Sequence, residues 1–292
     1  MVESPEDRIR NLGIWRGKIS VEPMSGGMTN RNYRVTDQEK TVAIRFGEDI
    51  PIHMINRANE LAASQAAHAA GISPAILYHA PGILVMDYVE GRTLTAVDVD
   101  KPSMIKRIIP LLRTCHEDIP KYFRGVAMIF WVFQVIRDYA NTLKDDESPH
   151  LADVRILLQN AAKLESAAGP YSIVFGHNDL LAANFLDDGK RLWLIDWDYA
   201  GFNSPLFDLG GLASNNALGE ERETSLLEAY FEVAVNETLW RRYQAMKCAS
   251  LLRETMWSMV SEIHSTIGFD YRTYTAENRA RFDAAYAAFQ EI

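Results

Sequence analysis

The sequence predicts an α+β fold in two unequal lobes. A small antiparallel sheet with one main helix takes up residues 1–90, and a larger, mostly helical lobe takes up 91–292. Three observations carry this. Short β-prone runs, separated by turn residues, crowd into the first 90 positions. Beyond them apolar residues recur at helical spacing over long segments. One strand–loop–strand–loop unit, from Phe175 to Asp196, interrupts the helical region and bears a concentrated set of polar side chains.

The elements follow in order. Residues 1–20 read as helical and then irregular. Ile19 to Met24 and Asn32 to Val35 are strands, joined by Ser25-Gly26-Gly27-Met28-Thr29-Asn30. After a turn at Asp37–Lys40, Thr41 to Phe46 is a third strand. A helix is expected from about Asn56 to Ala70, closed by Gly71, with Pro74 just beyond its end. Ala75–His79 and Gly82–Asp87 are strands around Pro81-Gly82. Asp87 to Gly91 reads as the hinge. Ser103–His116, Ile129–Leu143, Leu151–Ala168 and Glu220–Phe231 are amphipathic helices, and Asn236 to Ser265 is expected to hold two more. A two-lobed cleft of this kind is a common place for a nucleotide.

The chain of 292 residues is 48% apolar and 24% charged, which marks a globular protein with a sizeable core. A net charge of −9 argues against non-specific nucleic-acid binding and against adsorption to an anionic membrane. It leaves phosphate ligands open, because local groups bind them. Cys115 and Cys248 read as buried free thiols of a reducing compartment rather than a disulfide. The first residues are charged and lack an apolar signal region. The longest apolar run, Gly125 to Phe133, is too short to span a bilayer. A cytoplasmic protein without stable membrane insertion is therefore expected; the sequence does not fix its oligomeric state.

The chemistry is concentrated in Phe175–Asp196. His177, Asp179 and Asn184 follow the pattern His-x-Asp-x4-Asn, and an apolar strand then ends in Asp196. This is the catalytic-loop pattern of the protein-kinase-like fold. Phosphoryl transfer needs alignment and charge neutralisation more than covalent help. Asp179 suits the base that orients the attacking hydroxyl, and Asn184 and Asp196 are hard oxygen ligands for Mg²⁺. His177 fits a brace of the loop better than a titrating group. Taken alone, the glycine-rich turn Ser25, Gly26, Gly27, Thr29, Asn30 is more often a plain hairpin. At the head of the small lobe it suits a cover for phosphates, since glycine lets backbone N–H groups approach them. Arg45 on the third strand and Glu60 on the following helix are expected to pair and steady the ATP phosphates, with Arg in place of Lys. Asp198 could line the acceptor pocket, while Asp208 suits a tie to the catalytic-loop backbone.

Near the C-terminus, Leu252, Met256, Met259 and Ile263 form a core stripe. Trp257 and Glu254 fall off it. An aromatic ring beside a carboxylate suits a small cation, and Tyr271 and Tyr274 could add rings. Packing of Trp257 against a neighbouring helix is an equal reading.

At these residues the chain resembles the choline/ethanolamine kinases, within the wider group of aminoglycoside-phosphotransferase-like small-molecule kinases. The resemblance rests on Ser25–Asn30, Ala43-Ile-Arg-Phe-Gly47, Arg57 with Glu60, Gly71-Ile-Ser-Pro74 and Glu90-Gly-Arg-Thr-Leu94. It continues through His177–Leu181 with Asn184, Ile195–Gly201, Asn203, Pro205 and Asp208, then Trp257, Phe269, Tyr271 and Tyr274. It implies a two-lobed protein-kinase-like fold and transfer of the ATP γ-phosphoryl group, with Mg²⁺, to the hydroxyl of choline or ethanolamine. By the same resemblance Asp179 is the base, Asn184 and Asp196 hold metal, Arg45 with Glu60 orients phosphates, and Trp257 and Tyr274 supply aromatic rings to a cationic substrate's pocket. Two departures bear on that substrate. Glu254 stands where eukaryotic choline kinases place a second Trp, and the helix after Asp208 lacks their further carboxylate. Kinases of aminoglycosides, thiamine or homoserine, and a nucleotide-binding module without turnover, are the competing expectations.

Overall fold

A computed structural model describes residues 4–24, 30–38, 40–170 and 172–292. After a short helix α1 (Pro5–Arg10), five strands form one antiparallel sheet: β1 (Ile19–Met24), β2 (Arg31–Asp37), β3 (Lys40–Phe46), β4 (Ile76–Ala80) and β5 (Ile83–Asp87). Their order is β1-β2-β3-β5-β4, which puts β3, and with it Arg45, in the middle. Alternating burial along β2 and β3 turns Tyr33, Val35, Val42 and Ile44 inward onto Ile9 and Val85, a small core of its own.

Helix α2 (Arg57–Ala69) lies between β3 and β4 and is capped by the Asn56 side chain, which accepts from the Asn59 N–H at 2.9 Å. Its inner face is alanine: Ala63, Ala66 and Ala67 are buried against the helical lobe, not against the sheet. Ile50, Ile52, Met54 and Ile55, in the segment before it, pack on that same core. The two cores therefore interleave along the chain: α2 and the segment before it join the helical core, and Ile83 and Val85 of β5 return to the sheet core.

After the sheet the chain continues with β6 (Arg92–Thr93), α3 (Ala96–Val99) and α4 (Pro102–Arg113). One π-helical turn, Thr114–Asp118, leads to α5 (Ile119–Tyr122), α6 (Val132–Asp145) and α7 (Leu151–Ala168). The interrupting unit is β7 (Val174–Gly176), β8 (Phe185–Asp187), β9 (Leu192–Leu194) and β10 (Gly201–Asn203). β7 pairs with β10, β6 pairs with β8, and β8 pairs with β9. Then come α8 (Pro205–Asn215), α9 (Glu220–Phe231), α10 (Glu237–His264) and α11 (Tyr271–Gln290).

Three expectations are corrected here. Residues 236–265 hold one helix of 28 residues, not two. The segment contains no Gly or Pro to break it. It is buried on nearly every side from Tyr243 to Ser261, so its pattern lacks the stripe that marks a surface helix. Ile263, placed in the core stripe, is 37% exposed because it lies past the last packed turn. The helix expected from Ile129 starts at Val132, since Ile129 bridges to Phe202 beside β10.

Candidate active site

The catalytic loop is held by its neighbours before it does any chemistry. Asn178 adopts a left-handed backbone, φ +66°, which costs a non-glycine residue on the order of 1–3 kcal/mol unless surroundings impose it. Asp208, in the first turn of α8, imposes it by accepting from the His177 N–H at 2.8 Å and the Asn178 N–H at 2.7 Å. The Asn178 amide donates to the Tyr199 and Gly201 carbonyls at 2.9 and 3.1 Å and accepts from Asn203 at 3.0 Å. Buried His116, on the π-helical turn, places Nε2 3.0 Å from Asp208 and Nδ1 2.7 Å from the Tyr230 hydroxyl.

His177 is wholly buried. Its Nε2 donates to the Ile195 carbonyl at 2.9 Å and its ring packs on Trp197 at 4.8 Å between centroids. Burial pushes its pKa down, so it is a neutral tie between the loop and the residue before Asp196. It presents no surface to the cleft.

Asp179 is half-buried, with Arg253 Nη2 at 3.8 Å from its carboxylate. Its pKa is pushed up to about 7, mainly by burial, with Glu254, Asp196 and Asp198 adding to the rise and Arg253 opposing it. The Asn184 amide donates to the Asp179 carbonyl at 2.9 Å, which closes the far end of the loop.

On the sheet side, two guanidiniums meet three carboxylates. Arg45 pairs with Glu60, with Asp196, and with Asp198 at 3.0 Å. Arg57 reaches Glu60 at 2.6 Å and Asp198 at 2.7 Å. Asn30 completes the knot: it accepts from Arg57 at 2.7 Å and donates to Asp198 at 3.1 Å. A Cβ on Gly47 would sit 2.3 Å from Asn30 Oδ1 and 2.6 Å from Arg57 Nη2, so only glycine lets this knot close. Asp198, expected at the acceptor pocket, is thus buried on the Arg45–Arg57 side. Ser25, Gly26, Gly27 and Thr29 of the glycine-rich turn lie outside the described residues; Asn30 alone is placed.

Asp196 also has a left-handed backbone, φ +70°, and its pKa is raised by burial and by Asp198 despite Arg45. An excess of buried carboxylate is the environment a divalent cation relieves. Asn184 and Asp196 offer the oxygen donors that Mg²⁺ prefers, so the residues present fit that ion.

On the other side of Asp179, α10 and α11 gather Arg253, Glu254, Trp257, Tyr271 and Tyr274. Trp257 donates its indole N–H to the Tyr199 hydroxyl at 3.0 Å. Its ring lies 4.9 Å from the His53 imidazole, 6.0 Å from Tyr271 and 6.5 Å from Tyr274. The Tyr274 hydroxyl donates to Glu254 at 2.7 Å. Burial, with help from the charges of Arg253 and His264, lowers the His53 pKa to about 3. A cavity of about 450 Å³ opens beside His53, Trp257 and Tyr271, between the β3–α2 segment and the end of α10.

Sequence reasoning assigned nothing to Arg253 and His53. Arg253 left one trace, a cation directly after the apolar pair Leu251-Leu252 and next to Glu254. His53 left none, because its partners Tyr139 and Ser261 are distant in the chain.

A family model described as choline/ethanolamine kinase matches residues 21–284. The chain is 27% identical to a probable ethanolamine kinase of Arabidopsis thaliana, over 94% of this chain and 82% of that one. It is 26% identical to Protein LicA of Haemophilus influenzae, over 91% of this chain and 79% of that one. The crystal structure of a choline/ethanolamine kinase family protein from Mesorhizobium loti superposes with a TM-score of 0.76 at 28% identity, covering 96% of this chain and 95% of the other.

Proposed function

The chain belongs to the choline/ethanolamine kinase family, and we propose that it transfers the γ-phosphoryl group of ATP, with Mg²⁺, to the hydroxyl of a small amino alcohol, choline or ethanolamine. One observation carries the reading. The Asp179 carboxylate feels Asp196 and Asp198 on one side and Glu254, beside Trp257 and Tyr274, on the other, which supports a place between a cluster for metal and phosphate and a group of rings for a cation.

The roles follow from the chemistry of each group. When bound, Mg-ATP supplies the phosphoryl group and the charge that neutralises it. Asn184 and Asp196 would hold the metal. Arg45, steadied by Glu60, and the backbone of the turn Ser25, Gly26, Gly27, Thr29, Asn30 would hold the phosphates. Asp179 orients the acceptor hydroxyl and takes its proton. Asp208, His177 and Asn178 keep that carboxylate aimed. Glu254, Trp257 and Tyr274 hold the cationic end. A cytoplasmic location belongs to the same proposal, supported by the need for ATP and by two free, buried cysteines. Among the described residues no helix is long and apolar enough to cross a membrane.

The test is ADP release from purified protein with Mg-ATP and a panel of choline, ethanolamine, thiamine, homoserine and two aminoglycosides. Turnover confined to choline or ethanolamine is expected. Turnover only with another acceptor would replace the substrate. Thermal stabilisation by nucleotide without turnover would favour a binding module.

A further inference from the structure

We propose that Arg253, Glu254 and Tyr274 form a unit that reads the N–H groups of the acceptor's ammonium, so that catalytic efficiency falls as the acceptor nitrogen is methylated. The inference rests on the amino-alcohol reading and adds which head group the pocket selects.

The first observation is the bridge. Arg253 is 4% exposed, and its guanidinium sits 5.2 Å over the Tyr199 ring. One end lies 3.2 Å from Glu254 Oε2 and the other 3.8 Å from Asp179 Oδ1. A guanidinium is rigid and small, so the two carboxylate oxygens are at most about 9 Å apart. A 2-aminoethanol with one hydrogen bond of about 2.8 Å at each end reaches up to about the same distance, so one molecule is long enough to touch both carboxylates beside the guanidinium. Its hydroxyl then meets Asp179 while its ammonium meets Glu254.

The second observation is what Glu254 has left to offer. Tyr274 donates to one oxygen at 2.7 Å and Arg253 approaches the other at 3.2 Å. These fix the side chain yet use two of the roughly four lone-pair positions of a carboxylate. The side chain stays 17% exposed. A primary ammonium fills the free positions with N–H bonds. A trimethylammonium has no N–H, and it would cover the carboxylate without satisfying it.

The third observation concerns the rings. A trimethylammonium is held by open aromatic faces. Trp257 is 4% exposed, with His53 tilted over its ring at 4.9 Å and its N–H bound to Tyr199. The Tyr274 ring meets Trp257 edge-on, and its hydroxyl is committed to Glu254. Attraction here therefore comes from oxygen acceptors more than from ring faces. Arg253 acts through Glu254 and Asp179 as a positioning residue.

The experiment measures kcat/KM for 2-aminoethanol and its N-methyl, N,N-dimethyl and N,N,N-trimethyl derivatives, by ADP release from the full chain. Expected is a stepwise fall of at least about tenfold from the first to the last, carried mainly by KM. Glu254→Gln keeps the shape and removes the charge, and Arg253→Gln frees Glu254; both should flatten the series, which a general loss of structure would not do. Choline matching or exceeding 2-aminoethanol with the unaltered protein would overturn the inference while leaving the amino-alcohol reading intact. An equal loss across all four acceptors in Glu254→Gln would also overturn it. No ADP with any of the four would remove the amino-alcohol reading, and this inference with it.

Discussion

Asp179 occupies a place that resists its charge. Burial and neighbouring carboxylates lift its pKa to about 7, so a large share of the free protein carries it protonated near neutrality. Only the ionised form can accept the hydroxyl proton, so kcat/KM should rise with pH through about 7 and level off above it. The stability sign is opposite. A folded-state pKa above the ordinary value favours the neutral carboxyl in the fold, so stability contributed there is lost as pH rises from about 4 toward 7. Asp179→Asn should therefore lower kcat by about 10²–10⁴, keep the nucleotide-induced shift in Tm, and leave Tm at pH 8 equal to or above that of the unaltered protein. A lower Tm at pH 8 would mean the carboxylate is stabilised where it sits. At this scale the sequence was informative about which side chains one short unit brings together, as with Asp179, Asn184 and Asp196, whose roles are proposals. It said little where function joins distant segments. Arg253 approaches Asp179 only because α10 packs beside the catalytic loop, and Asp198 turned to Arg57 because Gly47 leaves room for that guanidinium.

Among the elements, the π-helical turn has the clearest consequence. Such turns often sit at functional sites, and this one delivers His116 to Asp208. His116→Ala would leave a buried carboxylate oxygen short of a partner and should cost about 1–3 kcal/mol. It should also reduce kcat more than it changes the KM for ATP, since the loop it braces carries Asp179. His116→Gln, which can place a nitrogen near Nε2, should recover most of both. Equal damage from the two variants, read by thermal melts and steady-state rates, would reduce His116 to packing. Strands β1 to β5 and helix α2 were readable from turn residues, caps and alternation. The unity of α10 was not, because a helix buried all round has no polar face to give its period away, and the π turn was hidden because it adds only one residue of offset between α4 and α5 with no break of Gly.

For the whole molecule, the division of cores matters most. The sheet has its own small core, while α2 and the segment before it belong to the core of the helical lobe. Arg45 thus faces Glu60 across a joint: Arg45 rides on the sheet, while Arg57 and Glu60 ride together on the larger body. Hydrogen exchange followed by mass spectrometry should show the amides around Ala63–Ala67 exchanging with the slow core of the helical lobe, later than those of β1 and β2. Exchange of α2 together with the sheet would make residues 1–90 one moving unit after all. The two-lobed organisation was legible from the change in periodicity near residue 90. The assignment of α2 was not, since a helix lined with alanine packs closely against either neighbour.

The account turns on phosphoryl transfer from ATP to an amino alcohol with a divalent cation present. The direct measurement is phosphorus NMR of the protein with ATP and 2-aminoethanol or choline, with Mg²⁺ and again with excess chelator. The account predicts a new phosphomonoester resonance growing as ATP becomes ADP, one for one, and none in chelator. Conversion of ATP to ADP with only inorganic phosphate appearing, or the same ester forming without the metal, would contradict it.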